Sequence, residues 1–183
     1  KDTDWEYADK HIGTSHFTHP PKRSTLRSPF DYKNATRIYI VNDIKKGDLH
    51  NIASAYRSLF IAANGGALGL FTAISRLKKA YGIIAHGLEE SSIPLYAQHV
   101  DPFPTNTLID IFRSEENSCL LGTDAVRDGI DVPGSALRLM VFDRVPWPRP
   151  SILHKARRNI NGGAIYDDRI TRSKLKQAFG RLI

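Results

Sequence analysis

Gln177 and Arg181 stand four residues apart around Gly180, near the end of a 183-residue chain. On a continuous helix that spacing is one turn, so an amide and a guanidinium point the same way. An arginine so directed meets the charge that develops on a transferring γ-phosphate, worth about 10³ to 10⁵ in rate in nucleoside triphosphatases. Gly180 between them permits a turn and close approach of phosphate or of another chain. Upstream, residues 120–134 open as an apolar run and pass into Thr123-Asp124, then Gly129-Ile130-Asp131. At the end of a buried strand, the Thr123 hydroxyl and amide can donate to a phosphate. Gly129 leaves room for an approaching group, and Asp131 can accept from a ribose hydroxyl or hold an arginine. Taken singly, the first stretch also reads as a plain strand-to-turn connection and the second as a surface arginine ending a basic helix. Their joint occurrence and order favour a phosphate-handling site.

Such residues need a scaffold that gathers strand ends beside a late helix. Residues 37–41 are β-branched and apolar and predict a strand. Asp48 predicts a helix cap, with Leu49, Ile52, Ala53, Tyr56, Leu59 and Ala63 at three- and four-residue steps until Asn64-Gly65-Gly66. The alternation repeats: strand 67–71, helix 73–81 closed by Gly82, strand 95–98, helix 105–113 with Leu108, Ile109 and Phe112 inward, strands 119–122 and 137–142, and a last helix 169–179. Strands alternating with helices imply a mainly parallel sheet with helices on both faces, a three-layer α/β domain. Ligands then belong at the carboxyl ends of the strands, where Thr72, Thr123, Asp124 and Asp143 fall. Residues 1–27 show no sustained period and predict a leader or linker, leaving 28–183 as the domain.

Charge points the same way. Residues 1–148 hold 17 Lys/Arg against 17 Asp/Glu, whereas residues 149–183 hold nine Lys/Arg against Asp167 and Asp168 alone, so the whole net charge of +7 sits in the last fifth. That asymmetry predicts an anionic partner, nucleotide phosphate or nucleic-acid backbone. Lys155, Arg157 and Arg158 either line a nucleic-acid track or form a solvated face. The single cysteine, Cys119, excludes an internal disulfide and a cysteine-based metal site, and fits a reducing, cytoplasmic setting. His16 and His19 have no third ligand nearby, so no metal site is expected. The longest apolar stretches run four to six residues, far short of the roughly 20 of a membrane span. Trp147, between prolines, is expected to pack its loop onto the domain.

Two absences narrow the chemistry. No Gly-x-x-x-x-Gly-Lys-Ser/Thr occurs, because Gly65-Gly66-Ala67-Leu68-Gly69 lacks the lysine, and no Gly-x-Gly-x-x-Gly follows the first strand, which argues against a dinucleotide enzyme.

Residues 120–134 and 177–183 together resemble motifs V and VI of superfamily 2 helicases, most closely the DinG/XPD branch of DNA helicases. The resemblance extends from Ser28: Ser28-Pro29-Phe30-Asp31-Tyr32 is similar to the start of that family's second motor domain, and Leu70-Phe71-Thr72-Ala73 to its Leu-Phe-Thr-Ser. Gln98 falls where the family ends a strand in Gln, and residues 145–150 resemble its Leu-Pro-Phe-x-x-Pro. What this implies is a RecA-like second motor domain of an ATP-dependent DNA helicase. In such a motor, ATP and Mg2+ bind between this domain and an N-terminal RecA-like domain that holds the phosphate cradle and most magnesium ligands. Gln177 and Arg181 are then the catalytic contribution, with Asp128, Gly129, Asp131 and Gly180 completing the nucleotide contacts. Thr72, Thr123, Asp124 and Arg149 become the contacts to single-stranded DNA. Arg127-Asp128 replaces the family's usual aromatic and glutamate, and the chain stops before the second arginine of motif VI. The expectation is therefore a piece of a longer polypeptide, inactive alone. The alternative is a helicase-derived domain that binds or scaffolds nucleic acid without catalysis.

Overall fold

A computed structural model describes residues 5–132 and 134–182, which group into two units, 1–37 and 38–183. In the first, the predicted leader forms a helix, α1 (Trp5–Ile12), and a short α2 (Tyr32–Ala35) follows in the stretch expected to open the domain. Asp9 accepts the Thr14 hydroxyl at 2.9 Å and pairs with Arg23, and the Arg23 hydrogen bond is the main reason its carboxyl stays below the ordinary range.

The second unit runs α3 (Leu49–Ala62), β1 (Ala67–Leu70), α4 (Ile74–Glu90), β2 (Leu95–Ala97), α5 (Thr105–Ser114), β3 (Cys119–Gly122), α6 (Asp124–Gly129), β4 (Leu139–Phe142), α7 (Ile152–Ile160) and α8 (Ala164–Phe179). The four strands are all parallel, in the order β2-β3-β1-β4. Alternate strand residues feed two cores, as the two-residue side-chain period requires. Ala67, Phe71, Cys119 and Leu121 pack against Tyr56 and Phe60 of α3 and Leu77, Ile84 and Leu88 of α4. Leu68, Leu70 and Leu120 pack against Leu108, Ile109 and Phe112 of α5 and Val126 of α6. This is the expected three-layer α/β architecture. Burial raises the Cys119 thiol to about 12, which suits an inert core residue.

Several boundaries differ from the sequence reading. Helix α3 begins where expected, with the Asp48 carboxylate accepting the Asn51 amide at 3.1 Å. It ends at Ala62, and Asn64, Gly65 and Gly66 just beyond it all take positive φ. Helix α4 does not stop at Gly82 but continues to Glu90. A mid-helix glycine costs about 1 kcal/mol, less than burying Ile84 and Leu88 returns at about 1.5–3 kcal/mol each. Residues 37–41 form no strand: they pair with neither edge of the sheet, and Ile38, Tyr39 and Ile40 are exposed. A β-branched run becomes a strand only where backbone partners exist. Residues 124–129, expected as a loop, coil into α6, and α7 precedes a final helix that starts at Ala164 rather than Arg169. Trp147 is not packed away: it is 54% exposed, while Pro146 beside it is buried.

Candidate functional site

Adjacent strands β1 and β3 send their chains to opposite faces. Helix α4 follows β1 onto one core and α6 follows β3 onto the other. Parallel neighbours that diverge in this way open a crevice at their carboxyl ends, the habitual ligand site of open α/β sheets. Leu70 at the end of β1 with Phe71 and Thr72 just beyond it, Asp124 and Arg127 from α6, and Phe142 at the end of β4 with Arg144 and Pro146 after it line a small cavity there.

The crevice is braced by charge. Arg76 on α4 donates from Nε and Nη2 to the two carboxylate oxygens of Asp143 at 2.8 and 2.7 Å, and the Asp143 side chain is fully buried. This bidentate contact raises the Arg76 guanidinium above its ordinary value. Behind it, the Tyr56 hydroxyl donates toward the carbonyls of Leu70 and Val141, at 3.2 Å each, and burial pushes its ionisation well upward. Arg149 donates to the Thr72 carbonyl at 2.6 Å, tying the segment after β4 to the end of β1.

The end of β3 is held differently. Gln98, at the end of β2 and only 5% exposed, accepts both the amide of Thr123 (3.0 Å) and its hydroxyl (2.8 Å) on Oε1. Its Nε2 donates to Thr105 Oγ1 at 3.0 Å, at the start of α5. Thr123 therefore spends both donors on protein in this structure. Gly122 lets α6 close down on the strand: a Cβ there would lie 2.5 Å from Val126 Cγ2. The Arg127 guanidinium donates to Asp124 at 2.9 Å and is nearly buried.

A second depression, of about 390 Å³, is lined by Arg127, Lys174, Gln177 and Arg181 and shares Arg127 with the crevice. The spacing that suggested a shared direction for Gln177 and Arg181 thus brings both to one cleft, although α8 ends at Phe179 and Gly180 caps it. Arg181 approaches Asp131 at 3.6 Å, so Asp131 holds an arginine. Asp131 is itself exposed, and its carbonyl accepts Arg113 Nε at 2.9 Å. At Gly129 a Cβ would meet only Ile109 Cδ1, at 3.7 Å, so no packing demands the glycine and open space lies beside it. The Asp128 side chain lies outside the described residues.

Three cations and an amide around one cleft suit a polyphosphate, whose oxygens need N–H donors and positive charge. Among the described residues no group of three or more His, Cys, Asp or Glu is placed to hold a metal ion, and no helix is long and apolar enough to cross a membrane. Arg127 drew notice in the sequence only as a departure from a motif, yet it lines both the crevice and the cleft. Lys174 and the Arg76–Asp143 pair were not anticipated as site residues. The pair is 67 residues apart in sequence and only the fold joins it.

Comparison with known proteins identifies the family. Residues 56–183 match the helicase C-terminal domain family. The chain is 31% identical over 128 residues to the ATP-dependent helicase DinG of Mycobacterium tuberculosis, covering 67% of this chain and 18% of that protein. It is 27% identical over 161 residues to the 3'-5' exonuclease DinG of Bacillus subtilis, covering 84% and 17% respectively. To the ATP-dependent DNA helicase YoaA of Escherichia coli it is 27% identical over 172 residues, covering 86% and 26%. The chain thus spans about a sixth to a quarter of the length of these relatives. A parallel three-layer sheet, with a strand-end crevice and a cationic cleft that meet at Arg127, is here the framework of a helicase C-terminal domain, and the chain belongs to that family, alongside the DinG-like ATP-dependent helicases.

Proposed function

We propose that this chain acts as the second motor domain of an ATP-dependent DNA helicase, closing on a first RecA-like domain with ATP and Mg2+ between them. The observation that carries the reading is the convergence of Gln177, Arg181, Lys174 and Arg127 on one cleft, with Asp131 beside Arg181. Lone pairs of a triphosphate would replace the Asp131 carboxylate as the partner of Arg181, which remains more than a third exposed and free to swing. The guanidinium then meets the charge that builds on the γ-phosphoryl oxygens, and Gln177 orients that group through its amide. Gly129 and Gly180 leave the approach open, and Asp131, together with Asp128, serves the ribose or the metal-bound nucleotide.

At the crevice, the rim of Thr72, Asp124 and Arg149 faces single-stranded DNA, while the Thr123 donors are engaged by Gln98. Arg144 and Arg149 supply the positive charge there and read backbone phosphate rather than base. Opening and closing of the interdomain cleft shifts this contact set relative to its counterpart on the first domain, and that displacement is translocation.

The test is ATP hydrolysis by the full-length polypeptide with and without single-stranded DNA, for wild type and Arg181→Ala. The expected outcome is strong stimulation by DNA and a loss of about 10³-fold or more in the variant, with nucleotide binding retained. Hydrolysis that ignores both DNA and Arg181 overturns the motor reading in favour of a binding or scaffold domain.

A further inference from the structure

We infer that Gln98 is a positioning residue of the motor: it clasps Thr123 to the ends of β2 and α5, and so fixes α6, whose Arg127 lines both the DNA-facing crevice and the nucleotide cleft. The inference rests on the motor reading above and adds a role for a residue outside both contact sets.

The chemistry of the clasp is unambiguous in direction. A backbone amide only donates, so the Gln98 atom facing the Thr123 N–H must be its oxygen, and the Thr123 hydroxyl donates to the same oxygen. The other end of the side-chain amide donates to Thr105 Oγ1, and the Gln98 main-chain N–H donates to the Leu121 carbonyl at 2.9 Å. One side chain, 5% exposed, thereby joins three elements with its hydrogen-bonding groups engaged at both ends. Buried networks satisfied in this way rigidify what they join.

Thr123 is also where α6 begins. It occupies the cap position of that helix, yet its side chain makes no capping bond to it. The orientation of α6 is therefore set by the strand end and by its packing, not by a local cap. Arg127, one turn along, lines the crevice and the cleft together, and Asp131 just beyond pairs with Arg181. A hydroxyl already donating to Gln98 presents only lone pairs outward, which a phosphate does not attract. Thr123 accordingly acts through position rather than by touching DNA.

The test uses the full-length polypeptide with Gln98→Met, Gln98→Glu, Thr123→Val, Thr123→Ser and the Gln98→Met/Thr123→Val double variant. Readouts are single-strand-stimulated kcat, KM for ATP, Kd for a labelled single-stranded oligonucleotide across salt, and thermal melting. Losing the clasp is expected to lower stimulated kcat roughly tenfold to a hundredfold, the scale of a misplacement of about 1 Å, with KM and Kd little changed. The double variant should be no worse than either single, because both remove one interaction. Gln98→Glu and Thr123→Ser, which keep an acceptor and a donor, should restore most of the rate and also serve if Gln98→Met fails to fold. Additive effects, or lower melting temperatures with unchanged kcat, overturn the role. So does a Thr123→Val variant that weakens and flattens the salt dependence of DNA binding while Gln98→Met is silent, since Thr123 would then contact phosphate directly. If the wild type itself ignores DNA, the motor reading falls, and this role with it.

Discussion

Asp143 shows at the scale of one residue how the strand-end crevice is built. Its carboxylate is fully buried and depends on the bidentate Arg76 guanidinium, itself only 18% exposed by side chain. Removing one partner of such a pair strands the other, which costs about 3–5 kcal/mol, whereas replacing both by apolar groups of similar volume is often close to neutral. Asp143→Asn should therefore lower the unfolding free energy of this chain by about 3 kcal/mol. Arg76→Met/Asp143→Leu should recover most of the loss, as read by urea denaturation. A double variant as unstable as the single would mean that the pair does more than satisfy itself. None of this was visible in sequence, where Asp143 drew notice only as a polar residue after a strand and Arg76 not at all. By contrast, Gln177, Arg181 and Asp131 were legible as candidates, because their meaning lies in spacings of a few residues that local structure preserves.

At the scale of elements, what could be read depended on whether local pattern and burial agreed. The strands 119–122 and 67–70 are short apolar runs buried along their whole length, and the helix from Leu49 carries both its cap and its apolar period. Where pattern and partner disagreed, partner won: the run 37–41 has strand composition and no sheet edge, and Gly82 resembles a stop within a face that the core continues to bury. Helix α7 leaves Ile152, Leu153 and Ile160 exposed, so a core-facing stripe gives no guide to it. Helix α6 was hidden by its Asp-Gly ending, yet its seat is specific. Because a Cβ at Gly122 would stand 2.5 Å from the Val126 side chain, Gly122→Ala should overpack this junction and cost about 1–3 kcal/mol. Val126→Ala added to it should return part of that stability while creating its own smaller cavity, a coupling that a double-mutant cycle on thermal or urea unfolding reads directly. Simple additivity would show that α6 shifts freely on the strand, contrary to the close seat seen here.

For the molecule as a whole, the decisive feature is that charge is segregated while the fold is not. Residues 1–148 carry a balanced charge, and the surplus of +7 belongs to the segment that forms α7 and α8. Within that segment Asp167 Oδ2 accepts Arg158 Nε of α7 at 2.7 Å and so binds the two helices together. Lys155 and Arg157 lie exposed on the same helix, and no carboxylate among the described residues pairs with either. Structural need thus accounts for Arg158 but not for its neighbours, and an unneutralised cation beside a proposed nucleic-acid path lowers its energy most by displacing condensed counterions from phosphate. Each phosphate contact on a single strand contributes about −0.7 to the slope of log affinity against log salt. Lys155→Gln/Arg157→Gln in the full-length polypeptide should accordingly make that slope shallower by about 1.4. Binding should weaken to a similar degree for oligonucleotides of different sequence, and melting temperature should hardly move. An unchanged slope would place these two side chains on a solvated face and confine the DNA path to the rim around Thr72 and Arg149.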